Sequence, residues 1–166
     1  DFEYFGANGD IPTPVCMVAR EARSGRTLRI WRNELIGLTA PPFDTGPDAL
    51  FVAYFASAEF GCFLSLGWEL PERILDLFTE FRAETNGTLV QNGNSLLGAL
   101  AYFGLPMMGG DEKTAMRDLV LTGGPWSDDQ QLAILDYCQE DVDALLRLLP
   151  AMVGRLVPEN DCGSQR

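Results

Sequence analysis

The chain has no histidine, and that absence closes several routes to chemistry. A Ser-His-Asp triad, a Cys-His pair and a His-rich zinc site are all excluded. Acid–base or metal chemistry must come from carboxylates, Tyr, Lys, Cys or the backbone. Paired cysteines are missing too. Cys16, Cys62, Cys138 and Cys162 are scattered without a C-x-x-C spacing, which suits neither a zinc ribbon nor a disulfide-dense secreted scaffold. They read as free thiols, buried in a reducing cytoplasm, with Cys162 exposed near the end. No apolar run reaches the roughly 18 residues of a spanning helix, and the first residues do not follow a signal-peptide pattern. The expectation is a soluble, cytoplasmic protein with no membrane partner. Positive charge is scarce as well, with 12 Lys plus Arg against 24 Asp plus Glu and a net charge of −12. If such a chain binds a metal, hard oxygen-ligated ions such as Mg²⁺ or Mn²⁺ are favoured.

What is present suffices for one domain. The 166 residues are 46% hydrophobic and 22% charged, which is ordinary for a folded globular protein. Residues 1–157 are expected to form it, and 158–166 a disordered tail. Pro14–Arg20 and Thr27–Trp31 read as strands joined by the turn Arg23-Ser24-Gly25-Arg26, an antiparallel hairpin. Residues 37–48, rich in Pro and Gly, read as a loop. Leu50–Ala56 is a nearly continuous apolar run, as in a strand covered on both faces. A short helix is expected over Glu59–Leu66, ending near Gly67. Ile74–Leu77 is a possible strand before a helix from Phe78. Further helices are expected over Ser95–Phe103, stopped by Gly104, and over Asp111–Leu121. The order of elements predicts an α/β protein, a mixed sheet flanked by helices.

The clearest element is last. Ser127-Asp128-Asp129-Gln130 matches a capping box. Behind it Leu135, Cys138, Val142, Leu145, Leu146, Leu149, Met152 and Val153 recur at helical spacing as one apolar stripe. Tyr137 and Asp141, one turn apart, fall on a flank of that stripe and away from the core. Other acids also draw attention. Asp1 and Glu3 share one face of an extended strand, and Glu59 follows a buried strand at the end where α/β ligands gather. Taken singly, each has a plain reading: a surface strand, a charge complementing a helix dipole, a helix-surface pair.

In this order they resemble the DEDD exonuclease superfamily. Its DnaQ-like members carry Asp-x-Glu, an Asp after a buried strand, and Tyr-x-x-x-Asp or His-x-x-x-x-Asp. Here Asp1-Phe2-Glu3, Glu59 and Tyr137-Cys138-Gln139-Glu140-Asp141 occupy those places, and the tyrosine form points to the DEDDy branch. Ser95–Leu105 with Lys113 downstream, and Gly123–Met152, are similar to later parts of such domains. The likeness extends to the proofreading domains of bacterial and phage family A DNA polymerases. It implies a ribonuclease H-like fold, with a mixed central sheet flanked by helices, and 3′–5′ removal of nucleotides. Two divalent cations, Mg²⁺ or Mn²⁺, would be held by Asp1, Glu3, Glu59 and Asp141, while Tyr137 orients the attacking water. The implied partners are a single-stranded or frayed 3′ end of DNA, or of RNA, and a polymerase domain in the same or another chain.

Two departures from the pattern stand out. The second acid is Glu59 where Asp is usual, and Tyr54-Phe55 replaces the usual His-Asn. A strand presenting Asp1 and Glu3 is also expected to have residues before it, in a larger parent protein. Arg20, Arg23, Arg26, Arg29 and Arg32, with only Glu21 among them, form either a solvated strand face or a contact for nucleic acid or polymerase. Lys113 and Arg117, one turn apart, are candidates for backbone phosphates; otherwise they pair with Asp111 or Glu112. Asp76, matching an acid that follows the second motif in many relatives, is either structural or catalytic. Trp31, Trp68 and Trp126 read as packing residues. Two other functions compete with proofreading: a catalytically degenerate scaffold and a free-standing RNA-trimming nuclease.

Overall fold

A computed structural model of the chain describes residues 1–6, 9–106 and 109–156; the expected tail 158–166, with Cys162, lies outside them. The protein is mixed α/β. Strand β1 (Phe2–Phe5) pairs antiparallel with β2 (Thr13–Arg20), and β2 pairs antiparallel with β3 (Thr27–Trp31). The β2–β3 hairpin is the expected one, closed by Glu21 N–H to Arg26 C=O and Gly25 N–H to Glu21 C=O, each 2.9 Å. A one-turn helix α1 (Arg32–Leu35) follows, and 37–48 carries no helix or strand. Then come β4 (Phe51–Ala53), α2 (Ala56–Ser65), β5 (Ile74–Asp76), α3 (Leu77–Glu84), α4 (Leu96–Tyr102), α5 (Gly110–Leu121) and α6 (Asp128–Leu156). Strands β4 and β5 pair in parallel. No described helix is long and apolar enough to cross a membrane.

The expected single mixed sheet is instead two ladders, β1-β2-β3 and β4-β5, with none joining them among the described residues. Aromatic rings fill the space between. Phe2 packs on Phe63 and Trp68, while Phe51 packs on Phe43, Phe60 and the same Phe63. The strand covered on both faces is β2, where Val15, Cys16, Met17 and Val18 are all buried. The run Leu50–Ala56 supplies only three strand residues, because Phe55 adopts a left-handed backbone (φ 69°) and α2 begins at Ala56. Such a conformation costs a non-glycine residue about 1–3 kcal/mol. Asp76 holds it in place: one carboxylate oxygen accepts from Phe55 N–H and from Phe78 N–H, both at 3.0 Å, and the other from Thr79 Oγ1 at 3.2 Å. Asp76 thus caps α3 and pins the β4–α2 junction, which is the structural alternative.

The sequence signals for helix ends are realised. Ser95 accepts from Gly98 N–H at the start of α4. Ser127 and Gln130 exchange reciprocal bonds at the start of α6, 2.9 and 3.3 Å. Gly67 and Gly104, both at positive φ (71° and 66°), sit just after α2 and α4, where only glycine is free of a Cβ penalty. Trp68 is buried with its indole N–H on Leu38 C=O, and Trp126 packs on Trp31 and Phe5.

The core-facing side of α6 differs from the expected stripe. Ile134, Tyr137, Cys138, Val142, Ala144, Leu148 and Met152 are buried, whereas Val153 is 45% exposed. At about 100° per residue, Asp141 lies only some 20° from the line through Ile134 and Met152. Tyr137 therefore faces inward, and Asp141 occupies a position where the pattern calls for an apolar residue.

Candidate functional site

Strand β1, α2 and α6 bring the predicted acids and Tyr137 together. The ladder between β1 and β2 extends to Asp1, whose backbone nitrogen donates to Val18 C=O (2.9 Å) and whose carbonyl accepts from Val18 N–H (3.0 Å). This reciprocal pair fixes Asp1 in register with β2. Because strand side chains alternate, Asp1 and Glu3 then share a face. Helix α2 supplies Glu59 from its first turn. Glu59 is only 4% exposed, accepts a hydrogen bond from the Phe2 amide, and has one buried oxygen without a partner. From α6 come Tyr137 and Asp141, with Cys138 between them in sequence. The Cys138 thiol lies 3.4 Å from both the carbonyl oxygen and a carboxylate oxygen of Asp1.

Burial, reinforced by like charges, sets the electrostatics. Burial, then the charges of Asp141 and Glu59, push Glu3 from 4.5 to about 8, with Lys113 partly opposing them. Glu59 is also raised, burial first. Burial, followed by the charges of Glu3 and Asp141, raises the Tyr137 phenol above its ordinary value. Tyr137 is therefore a hydrogen-bonding group and not a base at neutral pH. The Cys138 thiol is raised well above the usual range by burial first and then by its neighbour Cys16. Cys16, Cys62 and Cys138 are all free and buried, as expected.

Lys113 belongs to this cluster. Its ammonium bonds both oxygens of Asp141, at 2.6 and 2.9 Å, and sits 5.5 Å from the centre of the Tyr137 ring. The sequence placed it on phosphates or beside Asp111 or Glu112; the fold gives it to an acid on another helix. Arg117 is exposed one turn further along α5, near enough for its charge to act on Tyr137 and Tyr4. The arginine run is partly committed elsewhere: Arg20 pairs with Asp143 (2.9 Å), Arg29 with Asp136 (2.6 Å) and Gln139, and Arg32 lies over the Phe5 ring. At this exposure each pair contributes about 0–1 kcal/mol, and together they tie the hairpin to α6. The phenol of Tyr54 donates to Asn94 C=O at 2.6 Å.

A cleft of about 490 Å³ opens beside Asp141, between α4, the start of α5 and α6, with Leu97, Leu100, Glu112, Ala144 and Arg147 on its walls. Sequence reasoning missed the burial of Tyr137 and the contact of Cys138 with Asp1, although it read Cys138 as a buried free thiol. A usable signal existed, since Asp141 interrupts the inward line of α6, and a polar residue in a core position commonly marks function. No family model, curated protein or solved structure matches the chain.

Proposed function

We propose that the chain is a DEDDy-type 3′–5′ exonuclease on a ribonuclease H-like fold, hydrolysing phosphodiester bonds at nucleic-acid 3′ ends with Mg²⁺ or Mn²⁺. The observation that carries this is that Asp1 and Glu3 place carboxylate oxygens within 4.8 Å of each other, and that the charges of Glu3, Glu59 and Asp141 act on one another and those of Glu3 and Asp141 on Tyr137. The donors suit a hard cation. All are carboxylates, Glu59 keeps a buried oxygen without a partner, and Glu3 holds its proton to about pH 8 among its neighbours' negative charge. Asp1, Glu3, Glu59 and Asp141 would hold the two ions, which when bound lower the pKa of water and offset phosphate charge.

The remaining work falls to the chain's own groups. Tyr137, protonated and buried on the inward side of α6 with the Lys113 ammonium near its ring, orients the attacking water with its hydroxyl. Water's oxygen forms a new bond to phosphorus, and the P–O3′ bond breaks. A 3′-hydroxyl stays on the shortened strand, and a nucleoside 5′-monophosphate leaves. The cleft beside Asp141 receives the strand end, with Leu97 against sugar or base and Arg147 toward a phosphate, beside the acids Glu112, Glu140 and Asp143. The order of strands, an antiparallel meander and then a parallel pair with α2 between its strands, is compatible with the reading, while the two ladders are not joined among the described residues. DNA proofreading beside a polymerase domain is the role that fits best.

A scaffold without activity is the second reading. It is favoured by the grip of Lys113 on both oxygens of Asp141 and by Glu in place of Asp at position 59. The deciding assay offers 3′-labelled single-stranded DNA and RNA, each with Mg²⁺, Mn²⁺ or chelator. Stepwise, cation-dependent release of mononucleotides is expected, lost in Asp1→Ala and Asp141→Ala while circular dichroism stays unchanged. No release from either strand would leave the scaffold. Full activity in both variants would overturn the site.

A further inference from the structure

One group at this site has no part in the reaction above: the thiol of Cys138. Asp1, Glu3 and Cys138 each place a ligand atom so that all three lie within 4.8 Å of one another, the spread that a single small cation can bridge. The thiol is already directed at Asp1, 3.4 Å from its carboxylate oxygen. Behind them lies Glu59, outside that trio but near enough for its charge to act on Glu3, and one of its oxygens is buried with no partner. Sulfur is of little use to Mg²⁺ or Mn²⁺, which prefer oxygen ligands. A set of one sulfur and two carboxylates, with a further position open to water, instead suits Zn²⁺ or its softer relative Cd²⁺.

We propose that Cys138, with Asp1 and Glu3, forms a mixed thiolate–carboxylate site that captures Zn²⁺ or Cd²⁺ in competition with the oxygen-ligated cations. The proposal rests on the metal locus of the exonuclease reading and adds to it a soft-metal block. On capture the S–H bond breaks, a sulfur lone pair makes the sulfur–metal bond, the carboxyl proton that Glu3 holds at neutral pH is displaced as well, and both protons pass to buffer. No oxidation state changes. Asp1 and Glu3 are then held by an ion that does not exchange readily, so traces of Zn²⁺ or Cd²⁺ inhibit where Mn²⁺ activates.

The test titrates chelator-treated protein with Cd²⁺ and, separately, with Mn²⁺. Binding is followed by calorimetry and by the ultraviolet thiolate-to-cadmium charge-transfer band. The band is expected at one equivalent in the parent protein and in Cys16→Ser, Cys62→Ser and Cys162→Ser. Cys138→Ser, which keeps a donor toward Asp1, should lose the band and bind Cd²⁺ on the order of tenfold more weakly or worse, since even outer partners of metal ligands are worth about 10–100-fold. Its Mn²⁺ affinity should be unchanged. Cys138→Ala replaces it if the serine variant does not fold. A band that persists without Cys138 overturns the proposal, as does Mn²⁺ binding with no band in the parent protein, which leaves the exonuclease reading standing. If neither ion binds, that reading falls as well.

Discussion

Glu3→Gln tests the electrostatic account of the site through stability, without any nuclease assay. In the folded protein Glu3 titrates near 8, and its ordinary value is 4.5. Below the lower value both folded and unfolded chains hold the proton, so the group does not affect stability. Between the two the unfolded chain releases a proton that the folded chain keeps, and stability falls as pH rises, by about 1.4 kcal/mol per pH unit. Integrated from pH 5 to pH 8, Glu3 alone removes about 3 kcal/mol from the wild type. The amide of the variant cannot titrate, so its curve should be flatter by that amount, and any constant cost of burying an amide cancels in the comparison. For a chain of this length, 3 kcal/mol corresponds to a Tm difference of roughly 6–12 °C. The assay is urea unfolding at several pH values across that range, with chelator present. In parallel, Mn²⁺ should recover more stability for wild type than for Glu3→Gln at pH 8. Curves that run parallel within about 0.5 kcal/mol, or a wild type that gains stability relative to the variant as pH rises, would refute the burial and like-charge explanation.

Three further outcomes follow from the geometry. Tyr137→Phe should lower kcat by about 10²-fold with Mn²⁺ affinity unchanged, the signature of lost water positioning; equal rates would remove that role. Asp76→Ala, which strips the cap of α3 and the restraint on Phe55, should cost about 1–2 kcal/mol in urea unfolding, while Asp76→Asn keeps its 3′-end digestion; loss of digestion in a folded Asp76→Asn would make Asp76 catalytic. Gly98→Ala should destabilise by about 3 kcal/mol or more despite better helix propensity, because its Cβ would stand 2.1 Å from Gly93 O and 2.6 Å from Asn92 O, both backbone atoms. A neutral effect on the urea midpoint would show that the 92–93 turn yields.

Local signals read well because their physics is local. The capping box at Ser127, the turn at Arg23–Arg26, the glycine stops at Gly67 and Gly104 and the hairpin of β2 and β3 depend on neighbours in the chain. Errors came where a partner from elsewhere decides. Leu50–Ala56 looked like seven residues of strand, but Asp76, twenty-one residues beyond Phe55, stabilises a left-handed turn that ends β4 early. The inward face of α6 was misplaced because the leucines drew the stripe toward Leu135, Leu145 and Leu149. The residues actually pressed against β2 are Ile134, Cys138 and Val142.

The candidate site divides the same way. Residue order alone determines which chemistries are possible: without histidine, only carboxylates, a phenol and thiols remain to do the work. It also places Asp1 and Glu3 on one strand face and Tyr137 and Asp141 on one helix turn, through the periods of two and 3.6. Only the tertiary structure decides that these meet Glu59, that Lys113 rather than a surface neighbour answers Asp141, and that the Cys138 thiol faces Asp1. Those contacts join residues up to 137 positions apart. They exist because burying β2 between α2 and α6 draws their polar ends into one place, and no periodicity of a single segment encodes that.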